Sequence, residues 1–178
     1  MRFNQLFILL VLLTLLAAAC VAPTAVAPTT APSSSEQGYQ PLSADACAAL
    51  QKTVADALQA EATTSTAAFT DMLTGVSGQS CLITVTGDGA QFGSMTDIAT
   101  ALQSALAAQG WAADAAYAAD GPTGTAFGLR QGKELAQVNI GWQPAVDANC
   151  PSDQPISACE LTPAQQLYTI TVQAAVGP

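Results

Sequence analysis

The chain has 178 residues, half of them apolar and 10% charged, which leaves room for one ordinary domain and short appendages. Four Lys and Arg stand against thirteen Asp and Glu, and histidine is absent. Nothing here would neutralise a run of phosphates, so no nucleic-acid partner is expected. Mechanisms that need an imidazole, Ser-His-Asp triads and Cys-His dyads among them, are excluded.

Met1 and Arg2 give a minimal positive start, and from Leu6 to Ala19 every residue but Thr14 is apolar. That run is short for a membrane span and fits the apolar region of a signal peptide. It ends Leu16-Ala17-Ala18-Ala19-Cys20. Small residues directly before a cysteine resemble the lipobox of bacterial lipoproteins, although Ala17 stands where that family prefers leucine. The resemblance implies cleavage before Cys20, acylation of its sulfur and amine, and a chain held at a bacterial cell membrane on the extracytoplasmic side. Cys20 is then the lipidation site, and the membrane is a partner through the N-terminal lipid. Removing residues 1–19 leaves three cations against all thirteen acids. Anionic headgroups repel such a domain, so the lipid has to do the anchoring.

Residues 20–40 are rich in Ala, Pro, Thr and Ser, with Pro23, Pro28, Pro32 and one charge, Glu36. This composition buries too little to offset ordering entropy and reads as a disordered tether. One domain is expected over 41–178. Its first helix opens at the N-cap Ser43, and Cys47, Leu50, Val54 and Leu58 share a face. Ala62 to Ser80, rich in Thr, Ser and Gly, reads as a loop. Cys81 to Thr86 alternates as a strand, and Gly87-Asp88-Gly89 turns the chain. Ser94 and Asp97 form an S-x-x-D cap for a second helix, with Ile98, Leu102 and Leu106 on its apolar face and Gly110 after its end. Period-two alternation then marks weak Ala113 to Ala119, Thr125 to Arg130 and Leu135 to Trp142, with Gln131-Gly132 as a hairpin turn. A loop over Gln143 to Pro163 precedes a last strand, Leu167 to Val176. The predicted class is α+β, a two-layer sandwich with two amphipathic helices on one face of a mostly antiparallel four- to five-stranded sheet.

Besides Cys20 there are four cysteines, Cys47, Cys81, Cys150 and Cys159. An even count in an exported chain reads as two disulfides. Three connectivities are open. The apolar faces holding Cys47 and Cys81 favour that pair, and Cys150 with Cys159 would close the proline-stiffened loop CPSDQPISAC. No C-x-x-C pair suggests zinc or redox chemistry, so no metal and no cofactor are expected.

Gly87, Gly89 and Gly93 follow a strand and precede a helix, but the spacing is not that of a dinucleotide loop and no P-loop lysine follows. Asp147, Asn149 and Asp153 gather oxygen ligands in one loop without EF-hand spacing. Asp114 and Asp120 flank one weak strand, where proximity would allow acid–base work. Trp111 and Trp142 are candidates for stacking on a ligand, beside the plainer role of core packing. Arg130 and Lys133 straddle a hairpin tip; Arg130 is a candidate for an anion, beside the plainer role of blunting a sheet edge. No catalytic residue is assigned. The expected role is a membrane-anchored envelope lipoprotein whose acidic, non-catalytic domain binds a protein or polymer or gives structural support. The alternative is an extracytoplasmic hydrolase or small-ligand receptor that works through carboxylates.

Overall fold

The computed structural model describes residues 38–178 except 152 and 154. The expected signal, Cys20 and all of the expected tether but residues 38–40 lie outside the described residues. In chain order the elements are β1 (Gln40–Pro41), α1 (Ala44–Leu58), β2 (Thr63–Thr70), β3 (Ser77–Asp88), the one-turn α2 (Gly89–Phe92), α3 (Met95–Ala108), β4 (Ala112–Gly121), β5 (Gly124–Gln131), β6 (Glu134–Pro144) and β7 (Gln166–Val176). Two 3-10 turns, Ile156–Ala158 and Pro163–Gln165, punctuate the long loop before β7.

Both long helices start where their side chains cap them. Ser43 accepts from the Ala46 N–H at the start of α1, and Ser94 and Asp97 form a reciprocal capping box on α3. Gly110, just past α3, takes a φ of 91° that side chains resist. Leu50, Val54 and Leu58 of α1 and Ile98, Leu102 and Leu106 of α3 are buried against one face of the sheet. That face offers Cys81, Ile83 and Val85 from β3, Val138 and Ile140 from β6, and Ile170 and Val172 from β7. The disulfide Cys47–Cys81 ties α1 to β3, and Cys150–Cys159 closes the loop before β7. These are the two pairs expected, the first from the apolar faces and the second from the loop it brackets. Disulfides persist in oxidising compartments, so the pair suits an extracytoplasmic protein. Among the described residues no helix is long and apolar enough to cross a membrane.

The sheet is larger than expected. It has seven strands rather than four or five, ordered β2-β3-β7-β6-β5-β4, with β1 beside β7. Every strand pair is antiparallel. The C-terminal strand β7 therefore lies in the middle, between β3 and β6. The segment Ala62 to Ser80, read as a loop, holds β2, a tight turn and the start of β3. The misreading has a physical cause. β2 is an edge strand exposed along most of its length, and Phe69 is its only large side chain, so no apolar alternation marks it. Its threonines still suit extended backbone. β1 is two residues long and carries no periodicity. The β5–β6 turn is also corrected by one residue: Gln131 pairs with Glu134, so Gly132 and Lys133 form the turn. The turn after β3 is a cap: Asp88 accepts from the Ala90 and Gln91 N–H groups to start α2.

At one end, β3 leaves β7. Pairing between them begins only at Cys81–Ala174. In the gap lies β1, paired with Ala175 and Val176, while Tyr39 bridges to Gly78 in parallel sense. This close approach requires glycine, since a Cβ on residue 78 would stand 2.0 Å from the Tyr39 carbonyl oxygen. Freed from β7, the β2–β3 hairpin folds back over the face opposite the helices. The Gln173 side-chain amide donates to the Ala68 carbonyl (3.1 Å) and that of Gln137 to the Thr70 carbonyl (3.3 Å). Beneath the hairpin is a second apolar cluster of Tyr39, Phe69, Tyr117, Leu135 and Ala175. Toward the other end this face is polar, with Thr86, Asn139 and Thr169 exposed.

Candidate functional site

The second cluster surrounds a buried acid. Asp71 follows β2 directly and is 1% exposed. Its carboxylate organises the turn that leads into β3. Oδ1 accepts from the Leu73 N–H (2.9 Å), and Oδ2 accepts from the Thr74 hydroxyl (2.8 Å). The backbone closes the same turn, with the Gly75 N–H donating to the Asp71 carbonyl and the Asp71 N–H to that of Val76. Such a side chain folded onto its own following backbone is an Asx turn.

The same carboxylate reaches across the sheet. The Tyr117 hydroxyl of β4 donates to Oδ1 (2.7 Å), and the Tyr39 hydroxyl donates to Oδ2 (2.9 Å). Arg130 of β5 donates through Nη2 to the Tyr117 oxygen (2.7 Å) and through Nε to Asp114 Oδ2 (2.9 Å). Its guanidinium also lies 5.4 Å from the centre of the Tyr117 ring, within cation–π range. Tyr117 fits there because β5 has Gly128 beneath it; a Cβ at 128 would be 2.6 Å from the Tyr117 Cβ. Residues from β4 and β5, the β2–β3 turn and the start of the domain thus share one network.

Its electrostatics favour holding over reacting. Burial pushes the Asp71 carboxyl up, but the bonds from Tyr117, Leu73, Thr74 and Tyr39 outweigh it and bring it down to about 2. Burial first, then the bond to Asp71, pushes the Tyr117 hydroxyl well above the usual tyrosine range. Tyr39 is raised by the same causes in the same order. The Arg130 hydrogen bond holds Asp114 below the ordinary carboxylate range. A carboxylate this acidic is a weak base, and phenols so raised are weak acids. To solvent the network presents the partly exposed Arg130–Asp114 pair and the turn that it fixes. Met72 and Leu73, at its crest, are 54% and 52% exposed.

The five candidate ligand residues do not converge. Asp114 and Arg130 are brought together as an ion pair. Asp120 is opposite Thr125 and Asp114 opposite Gly128, an odd number of positions apart on β5, so the two carboxylates stand on opposite faces of the sheet. Asp120 accepts instead from the Thr125 hydroxyl (2.6 Å). Trp111 is buried in the helix-side core, and Trp142 packs half-buried against that core, opposite Tyr168. Trp111 does line a groove of about 480 Å³ together with Leu42, Leu50, Gln109, Gln131 and Glu134. Lys133 stands exposed in the β5–β6 turn. Among the described residues no cluster of acids and cysteines is arranged to hold a metal ion.

Sequence reasoning missed Asp71, Tyr39, Tyr117 and the Met72-Leu73 crest. One signal was present: Asp71 followed by Thr74 and Gly75 is a turn pattern. The reach of Asp71 to Tyr39 and Tyr117, 32 and 46 residues away, left no local trace. Compared with models of known protein families, with curated proteins and with solved structures, the chain matches none.

Proposed function

We propose that the chain is a lipid-anchored envelope protein on the extracytoplasmic side of a bacterial cell membrane, whose acidic α+β domain binds a partner or gives support rather than performing chemistry. The observation that carries this reading is the pair of disulfides in the folded domain, Cys47–Cys81 and Cys150–Cys159. They call for an oxidising compartment, which is where a lipobox-like leader ending at Cys20 would deliver the chain. A turn fixed by a buried, fully bonded acid, with two apolar side chains at its crest, supports a binding role.

The test is Cys20→Ala in the full-length chain, followed by membrane fractionation. The expected result is soluble or unprocessed protein. Normal membrane retention of the variant would refute the lipid anchor.

A further inference from the structure

We propose that the Met72-Leu73 crest is a membrane-docking element, entering the interface of the bilayer that holds the N-terminal lipid. The proposal rests on the lipoprotein reading above and adds to it an orientation and a contact.

Three observations carry it. The first is the concentration of exposed apolar side chains. Among the described residues the exposed large hydrophobic side chains are Met72, Leu73 and Val146. Two of them are adjacent on one turn. Val146 follows β6 and lies at the opposite end of the sheet, since β6 runs from Glu134 beside Val176 to Pro144 beside Gln166.

The second is position. The crest lies at the end where the chain enters the domain. The Tyr39 N–H donates to the Ser77 carbonyl, one residue past Val76, and the Tyr39 hydroxyl donates to Asp71 itself. Residues 21–37 separate this point from Cys20. Seventeen residues reach at most roughly 55–60 Å, the covalent limit for a chain of that length. An anchored lipid therefore keeps the crest within reach of the bilayer, so the contact forms within one tethered assembly and needs few side chains.

The third is charge and rigidity. The chain is acidic overall and anionic headgroups repel it, so a membrane contact needs a point without charge. Residues 72–76 carry none, and the Asp71 carboxylate is turned inward onto Tyr39 and Tyr117. The charged groups nearest the crest lie off the hairpin: Asp114 and Arg130, partly exposed on β4 and β5, neutralise each other as an ion pair, and Asp45, Lys133 and Glu134 sit on α1 and around the β5–β6 turn. The turn is fixed before any contact, so little ordering entropy is lost on docking.

The experiment uses the full-length, lipid-bearing chain in phosphatidylcholine vesicles with brominated acyl chains, which quench nearby tryptophan. Leu73→Trp reports on the crest and Val146→Trp on the opposite end, each read against the unsubstituted chain to remove Trp111 and Trp142. For a side chain about 5–10 Å into the interface, roughly half or more of the Leu73→Trp emission should be lost, and that of Val146→Trp should not change. No quenching at position 73, in a chain that floats with the vesicles and shows acylated Cys20 by mass spectrometry, would overturn the docking and leave the anchor intact. Equal quenching at both positions would overturn it too, because no end would then be preferred. Cys20 without acyl chains would remove the lipoprotein reading and the docking with it.

Discussion

Asp71→Asn keeps the shape of the buried acid and removes its charge. In the native domain the carboxyl is held at about 2, against an ordinary 3.8. At about 1.4 kcal/mol for each pH unit, that difference contributes about 2.5 kcal/mol to folding at neutral pH. The amide also turns a donor toward hydroxyls that already donate, which costs about 1 kcal/mol more. The expected loss at pH 7 is therefore about 2.5–4 kcal/mol, or roughly 8–15 °C in melting temperature for a domain of this size. The pH dependence identifies the cause. The Asp71 pKa is lower in the folded state, so its contribution is complete above about pH 4 and disappears as the pH falls to about 2. The gap between native and variant should narrow over that window. Urea unfolding followed by fluorescence, with disulfides intact, measures it at pH 7 and again near pH 2.5. A variant within about 0.5 kcal/mol of native at pH 7 would refute the reasoning. So would a gap that stays constant down to pH 2.

Other outcomes follow from the same contacts. Gly128→Ala places a methyl group 2.6 Å from the Tyr117 Cβ, so Tyr117 must shift and about 1–3 kcal/mol should be lost in the same unfolding assay. A melting temperature equal to native would show that the ring is not seated on that glycine. Replacing Cys47 and Cys81 together by serine removes the link between α1 and β3 and should cost about 2–4 kcal/mol. Peptide mapping without reductant should recover both cross-linked pairs from the native chain. Free thiols at Cys150 and Cys159 would contradict the closed loop.

How far the sequence could be read depended on the range of the interactions involved. Both long helices were legible because their signals are local. Ser43, and Ser94 with Asp97, cap orphan N–H groups within three residues, and apolar residues at four-residue spacing mark the buried face. Strands β6 and β7 were legible because each buries one face, so Val138 and Ile140, and Ile170 and Val172, alternate with polar neighbours. β2 was missed because an exposed edge strand needs no apolar face. β1 was missed because two residues hold no period. The candidate site fared worse. Asp114 and Arg130 were chosen separately and turned out to be partners, but Asp71, the centre of their network, was assigned to a loop.

The sequence by itself determined the acidic balance, the helix starts and the strands that bury one side. Each follows from composition or from neighbours a few residues apart. Only the tertiary structure decided that β7 lies between β3 and β6, that β3 parts from β7 to admit β1, and that the hairpin folds back over the open face. These depend on which strand edges meet, and backbone hydrogen bonds are nearly the same for any pairing partner. The burial of Asp71 was decided there too. A carboxylate is stable inside a protein only where donors converge on it; Thr74 is a local donor, but Tyr39 and Tyr117 meet Asp71 only after the sheet has closed over itself.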